Sequence, residues 1–145
     1  MSKKGNIVEI ICLLLFMLFL YTALSKALDI DRFRSTMRDS PVLKSFSGWL
    51  PYGVVMIEII TAALLLWPRW RLTALYMSFG LMVAFTLYVG FILAFSKSLP
   101  CSCGGVIQKM NWNQHLIFNL IFTGMSLLAV LFSDKRIKEN YLLQQ

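Results

Sequence analysis

Four long runs of apolar residues constrain the fold of this chain more than any other feature of its sequence. A transmembrane helix needs about 17 to 25 apolar residues to cross roughly 30 Å of hydrocarbon, and all four runs fall in that range. Only 14% of the 145 residues are charged and 58% are hydrophobic, whereas about 25% of the residues in a soluble domain are charged. We predict an all-α integral membrane protein, a four-transmembrane-helix bundle that forms a single domain over residues 1–145. The approximate spans are 7–24, 50–67, 72–95 and 116–132.

A short amphipathic helix is predicted between the first two spans. The apolar residues Ile30, Phe33 and Met37 recur there at helical spacing among charged neighbours. This pattern is typical of a helix that lies on the membrane surface. The first span itself follows Lys3 and Lys4, as the apolar part of a secretory signal would, but we interpret it as the first transmembrane helix.

The positive charges predict how the chain is oriented. The fourteen Lys and Arg residues divide equally between the two sides of the predicted bundle, but one set of seven lies in short segments close to helix ends: Lys3, Lys4, Arg69, Arg71, Lys135, Arg136 and Lys138. The other set is spread over longer loops that also contain Asp. The positive-inside rule then favours cytoplasmic termini in a bacterial inner membrane. The net charge is +7. The Lys and Arg residues that give it lie beside the apolar runs and form no basic face, so we expect no nucleic-acid partner.

Two closely spaced cysteines are the first candidates for chemistry. In Pro100-Cys101-Ser102-Cys103-Gly104-Gly105 one residue separates the thiols, so a disulfide between them closes a small, constrained ring that is easier to reduce than a relaxed one. The predicted orientation places them on the periplasmic side, where disulfides persist. A redox-active dithiol, a soft-metal site and a structural pair all remain open. Cys12, among Ile and Leu in the first span, is interpreted as a small apolar filler.

His115 and Asn119 are candidates because they lie at the start of the fourth span, soon after the cysteine pair. A four-residue separation places both on one helical face. His115, the only histidine, could act as a base towards a thiol or donate a hydrogen bond to a quinone carbonyl. It could equally cap the helix or lie among lipid headgroups.

Glu58 is the costliest residue in the predicted bundle, because it lies about eight residues into the second span. A carboxylate at that depth must be paired, protonated or facing a polar cavity. Lys26, at the end of the first span, has a flexible stem that can reach inward. We expect these two side chains to pair, either as a structural lock between helices or as part of a binding or proton-transfer site.

Together these residues resemble the MauE/DoxX group of redox-associated membrane proteins. The resemblance is carried by Ser25-Lys26-Ala27-Leu28-Asp29, by Glu58 and by the cysteine–glycine motif, and residues 112–119 are similar to the Bacteroidota branch of the group. It implies a four-helix bundle that supports disulfide formation or thiol transfer outside the cytoplasmic membrane. It also implies a quinone as the candidate cofactor, although this chain lacks the second extracytoplasmic cysteine pair of disulfide-generating quinone reductases.

We therefore predict a membrane thiol–disulfide redox protein that uses Cys101 and Cys103, with help from His115, to exchange electrons with a partner. The candidate cofactor-binding residues are Glu58, Lys26 and Asn119. The expected partner is a thioredoxin-like or disulfide-containing extracytoplasmic protein, and other membrane subunits are further candidates. Whether the chain is an enzyme, as a thiol–disulfide oxidoreductase, stays open at this point. Two alternatives are a soft-metal-ion binding or transport protein and a non-catalytic accessory subunit of a membrane complex.

Overall fold

The computed structural model describes residues 3–40, 43–95 and 112–142, and these residues form helices joined by short turns. The five α-helices are α1 (Lys3–Leu28), α2 (Ile30–Asp39), α3 (Leu50–Leu66), α4 (Arg71–Phe95) and α5 (Trp112–Leu142). Two short 3-10 helices, Lys44–Phe46 and Pro68–Trp70, precede α3 and α4. No strand occurs in the described part of the chain, so the all-α prediction is confirmed, as is the short helix between the first two long ones.

Three of the helices contain segments long and apolar enough to cross a membrane: Asn6–Leu28, Pro68–Phe95 and Asn113–Asp134. Helix α3 is equally apolar but has only 17 residues, which gives a length of about 25 Å at 1.5 Å per residue. That is slightly less than the roughly 30 Å of hydrocarbon in a bilayer. Three of the four predicted spans therefore lie in helices that are long and apolar enough to cross a membrane, and the count of four spans stays a prediction.

The four long helices form a ring in which α1 packs mainly on α3 and α4 packs mainly on α5. Contacts of α1 with α5 and of α3 with α4 close the ring. Across the α4–α5 contact, the hydroxyls of Thr86 and Thr123 lie 3.1 Å apart. Apolar sequence alone could not give this order, because a helix that is apolar on all sides does not indicate which face meets which neighbour.

One end of the bundle, here called the apolar end, has a continuous hydrophobic core. It contains the first turns of α1, the end of α3, the start of α4 and the later part of α5. Its buried members include Val8, Ile11, Cys12, Leu15, Leu65, Ala74, Leu75, Ala129 and Val130. Since Val8 and Val130 belong to the same cluster, the beginning of α1 and the later part of α5 lie at the same end of the bundle.

The outer surface of the bundle is apolar, the reverse of a soluble protein. Large hydrophobic side chains such as Met17, Met56, Leu87 and Ile121 are more than half exposed. Such a surface would be unstable in water and is suited to lipid contact. Among the exposed aromatic side chains, four lie next to helix ends: Trp49, Tyr52, Trp67 and Trp70. Aromatic residues of this kind are enriched where a membrane meets water.

Candidate functional site

The opposite end of the bundle, here called the cavity end, encloses a cavity of about 220 Å³. Its walls come from all five α-helices. They are the last three turns of α1, the buried face of α2, the first half of α3, the middle of α4 and the first two turns of α5, with Leu43 from the turn before α3. Most lining side chains are apolar. The residues that line it are Leu18, Phe19, Thr22, Lys26, Phe33, Thr36, Met37, Leu43, Leu50, Val54, Glu58, Met82, Ala84, Phe85, Tyr88, Val89, His115, Phe118 and Asn119.

An ion pair between Lys26 and Glu58 forms the charged part of this cavity. The Lys26 ammonium donates a hydrogen bond to Glu58 Oε1. Glu58 is 0% exposed and Lys26 is 8% exposed, so both charges are removed from water. The predicted pairing is confirmed. It joins α1 to α3 and neutralises a carboxylate that would otherwise be costly in an apolar bundle.

Two aromatic rings complete the surroundings of the Lys26 ammonium. Its Nζ lies 4.8 Å from the centroid of the Phe85 ring of α4 and 5.4 Å from that of the Phe33 ring of α2. At these distances a cation is attracted by the electron-rich ring face. A single lysine of α1 therefore contacts α2, α3 and α4.

Helix α2 covers part of the cavity. Its apolar face is buried through Phe33, Thr36 and Met37, and all three line the cavity. The helix ends at Asp39, where the backbone N–H of Ser40 donates to the Met37 carbonyl at 3.2 Å. The opposite face carries Arg32 and Arg38, which are exposed. The apolar face of this amphipathic helix is therefore buried against the cavity.

His115 and Asn119 contribute the wall formed by α5. Both are buried, at 7% and 5% exposure, and both line the cavity, so the prediction that they share one helical face is confirmed. The structure thus brings His115 and Asn119 together with Lys26 and Glu58 around one space.

Two buried polar atoms of cavity-lining residues have no hydrogen-bond partner among the described residues. One is the donor Nδ2 of Asn119 and the other is the acceptor Oε2 of Glu58. A buried polar group without a partner costs about 1 to 3 kcal/mol, and native structures seldom keep one without a use for it.

The predicted dithiol, Cys101 and Cys103, lies outside the described residues. By sequence it belongs to the segment that connects Phe95, the last residue of α4, with Trp112, the first of α5. Both of these helix ends lie at the cavity end of the bundle.

Cys12 lies far from this site. It is 5% exposed in the core of the apolar end, and 14 residues of α1 separate it from Lys26, about 21 Å along the helix axis. Its interpretation as an apolar filler is confirmed. Within the described ranges, no group of three or more His, Cys, Asp or Glu side chains could hold a metal ion. The predicted alternative of a soft-metal site needs both cysteines, so it stays a prediction.

Sequence reasoning missed the contributions of α2 and α4 to the cavity. Phe85, Tyr88 and Val89 recur at three- and four-residue spacing in α4, as residues of one helical face do. However, α4 is apolar on every side, so this face could not be distinguished from the others. The cation–π partners of Lys26 were likewise not predicted from the sequence.

Comparison with known proteins decides the family. The family model described as methylamine utilisation protein MauE matches residues 4–132, which is most of the chain. The chain belongs to the MauE family. The match includes the whole cavity and the cysteine segment, and membership indicates a membrane protein in a redox- or electron-transfer-related context. Neither the curated proteins nor the solved structures include a match to this chain.

Proposed function

We propose that this chain is a membrane thiol–disulfide redox protein whose working group is the Cys101–Cys103 pair. The observation that carries the proposal is the position of the cavity and of the few polar side chains that line it. The segment with the two cysteines joins α4 to α5 at the end of the bundle where His115, Asn119 and the Lys26–Glu58 pair line one space. Membership of the MauE family supports a redox context.

The proposed chemistry is thiol–disulfide exchange. One cysteine thiolate attacks a sulfur of the partner's disulfide, forming a mixed disulfide and releasing one partner thiolate. The second cysteine then attacks the mixed disulfide, so that Cys101 and Cys103 become oxidised and the partner leaves as a dithiol. The reverse sequence oxidises a partner instead. His115 would take or supply the thiol proton, a role that suits a histidine side chain.

The proposed topology places this chemistry outside the cytoplasm. All four long helices, α3 included, would span the bacterial inner membrane, with both termini in the cytoplasm and the cysteines in the periplasm. Two features support this arrangement: the start of α1 and the later part of α5 lie at the same end, and short cationic segments are concentrated at that end. The expected partner is a thioredoxin-like or disulfide-containing extracytoplasmic protein.

Trapping of mixed disulfides tests this function. Replacing a single cysteine, by Cys101→Ser or Cys103→Ser, removes the thiol that attacks or the thiol that resolves. We expect covalent adducts with thiol proteins to accumulate in one of these variants in intact cells and to disappear on reduction. The matched control is Cys12→Ala, which removes a buried thiol at the apolar end and should leave the exchange unchanged.

Three outcomes would reject the proposal. In the first, neither single variant forms adducts and a bound metal ion protects both cysteines from alkylation, as expected of a soft-metal protein. In the second, Ser at both positions leaves assembly and phenotype intact, as expected of an accessory subunit. In the third, a membrane-impermeant thiol reagent labels the reduced cysteines only after lysis, which would place them on the cytoplasmic side.

A further inference from the structure

We propose that the cavity is a binding site for one acyl chain of a membrane lipid, which enters from the leaflet at the cavity end and lies along α1 and α4. The chain would complete the packing of α2, whose Phe33, Thr36 and Met37 line the same space. This inference concerns a ligand of the bundle and does not depend on the thiol chemistry proposed above.

The surface that the cavity offers to a ligand is almost entirely apolar. Six of the lining residues are apolar and only half-buried: Leu18, Leu43, Leu50, Val54, Phe85 and Phe118. Five polar or charged residues of the lining are instead buried, with at most 8% exposure: Lys26, Thr36, Glu58, His115 and Asn119. A hydrocarbon group therefore fits this surface better than a polar one.

The polar groups of the lining are engaged within the protein or are out of reach. Lys26 and Glu58 form their ion pair, and Thr22 and Thr36 donate to backbone carbonyls of their own helices at 3.2 and 3.0 Å. The atoms without a partner, Glu58 Oε2 and Asn119 Nδ2, are not accessible from the space. A buried water molecule needs two to four polar partners, and an apolar cavity stays dry until an apolar ligand enters it.

The cavity is long in the direction of the helices. Its lining runs from Leu18 to Lys26 on α1 and from Met82 to Val89 on α4, which are lengths of about 12 and 10 Å at 1.5 Å per residue. An apolar cavity of roughly 150 Å³ holds the six carbons of benzene, so this one, with about 220 Å³, holds about nine carbons in proportion. An extended stretch of hydrocarbon chain matches this length and volume, whereas one compact ring would leave part of the length empty.

The position of the cavity matches one leaflet of a bilayer. Its shallow end is lined by Met37 of α2 and Leu50 at the start of α3, and its deep end by Leu18. Trp49 and Tyr52, on either side of Leu50 and Pro51 in sequence, are exposed, as aromatic residues at a membrane–water interface are. One leaflet contributes about 15 Å of hydrocarbon, half of the roughly 30 Å of a bilayer. An acyl chain whose headgroup lies at this interface can therefore reach the depth of Leu18.

The cavity meets the lipid-facing surface of the bundle at α4. Ala84 lines the cavity and is exposed. Gly80 and Leu87, one turn before it and one turn after it, are exposed but do not line the cavity. Ala84 therefore lies at the rim, and its small side chain leaves an entry for a hydrocarbon chain that comes directly from the surrounding lipid.

Photo-crosslinking in phosphatidylcholine vesicles tests the inference on the full-length chain. Two photoreactive phosphatidylcholines are used, with a diazirine either close to the ester or near the middle of one acyl chain, and mass spectrometry of fragments locates the adducts. The buried methionines Met37 and Met82, at 5% and 2% exposure, cannot be reached by lipid outside the bundle. We expect the first probe to label the shallow Met37 and the second to label the deep Met82. Exposed Leu87 reports ordinary lipid contact, and Leu75, which is buried outside the cavity, should stay unlabelled.

A cavity-filling variant localises the binding. Leu18→Trp enlarges a side chain at the deep end, and we expect the Met82 adduct, relative to the Leu87 adduct, to fall about tenfold because the space is then overpacked. The matched control is Leu14→Trp, one turn earlier on α1, where Leu14 is 43% exposed and lies outside the cavity. It should leave the ratio unchanged. If circular dichroism shows that Leu18→Trp does not fold, Val54→Phe fills the cavity from α3 and should give the same loss.

Four results would overturn the inference. They are adducts at Leu87 without any at the two methionines, labelling of both methionines by both probes alike, an unchanged Met82 adduct in the filled variant, and labelling of Leu75 as strong as that of Met82. Mixed-disulfide adducts of the single-cysteine variants would still support the thiol function in each case. Conversely, depth-ordered lipid adducts in a chain that forms no mixed disulfide would keep the lipid site and reject the exchange reaction.

Discussion

Two ion pairs formed by described residues of α1 lie near opposite ends of the helix and differ greatly in burial. At the cavity end, the Lys26 and Glu58 side chains are 10% and 0% exposed. At the apolar end, Glu9 and Arg71 are 61% and 28% exposed, with 3.6 Å between Arg71 Nη1 and Glu9 Oε1. Seventeen residues of α1 separate Glu9 from Lys26, about 25 Å along its axis.

The difference shows at which end of the bundle charged groups are removed from water, which costs free energy. An exposed pair contributes about 0 to 1 kcal/mol and costs little to make. A buried pair must offset the loss of hydration of both charges and is often less stable than apolar residues of the same volume. The apolar end has no such buried pair, although Arg71 Nε there has no hydrogen-bond partner among the described residues. The cavity end has the buried pair and also leaves Glu58 Oε2 and Asn119 Nδ2 without partners. This pattern is expected of a functional site and is not needed for packing.

The largest predicted effect comes from removing one partner of the buried pair. Lys26→Met leaves the Glu58 carboxylate buried without a counter-ion, so we expect a loss of about 3 to 5 kcal/mol in the free energy of unfolding. The double variant Lys26→Met/Glu58→Leu should recover most of that loss. Unfolding in mixed micelles at increasing SDS fractions measures both. Additive losses in the double-mutant cycle would show that the two residues are not coupled.

A comparison of two leucines of α1 tests whether the ends differ in packing. Leu15 is fully buried in the core of the apolar end, so Leu15→Ala should cost about 2 to 5 kcal/mol. Leu18 lines the cavity and is only half-buried. Leu18→Ala should cost less, about 1 kcal/mol, because the space beside it is already empty. Equal losses in the same unfolding experiment would show that the cavity end is packed as tightly as the core.

Asn119→Leu should increase stability, in contrast to the two substitutions above. The amide donor is buried without a partner, and its removal should raise the free energy of unfolding by about 1 kcal/mol. Circular dichroism during heating would detect the rise in melting temperature. Ser126→Ala, which removes a satisfied hydrogen bond, should give no such rise. A clear fall for Asn119→Leu would indicate that the amide stabilises the bundle itself.

The smallest effect is expected at the exposed pair. Glu9→Gln should change the free energy of unfolding by less than about 1 kcal/mol, and the remaining difference should shrink as the salt concentration is raised. The measurement is the SDS-dependent unfolding used for Lys26→Met. A loss as large as that of Lys26→Met would remove the contrast between the two ends of α1.

Much of the helical framework could be predicted from the sequence, because long apolar runs have few other stable arrangements in a membrane. The α2 helix was predictable from the spacing of Ile30, Phe33 and Met37. The Lys26–Glu58 pair was predictable because a carboxylate at such depth needs a counter-ion, and few cations lie within reach. In these cases a single strong energetic requirement determines the structure.

The remaining features depend on which helix faces meet. The ring order of the helices and the aromatic contacts of Lys26 require the three-dimensional packing, because α4 carries apolar residues all round. The length of α3 was also slightly overestimated, since Trp67 precedes a 3-10 helix that ends the apolar run. The role of Cys101 and Cys103 stays a prediction, because they lie outside the described residues.

The pairing of the helices has a consequence for how the protein can be assembled during synthesis. Helix α1 packs mainly on α3 and α4 packs mainly on α5, so the chain consists of two successive hairpins. Lys26 and Glu58 both belong to the first. A nascent chain can therefore neutralise its buried carboxylate as soon as the first hairpin has left the ribosome, before α4 and α5 exist. When α4 and α5 then pack on the first hairpin, its buried ion pair is already neutral. Packing of α5 adds His115 and Asn119 to the lining of the cavity.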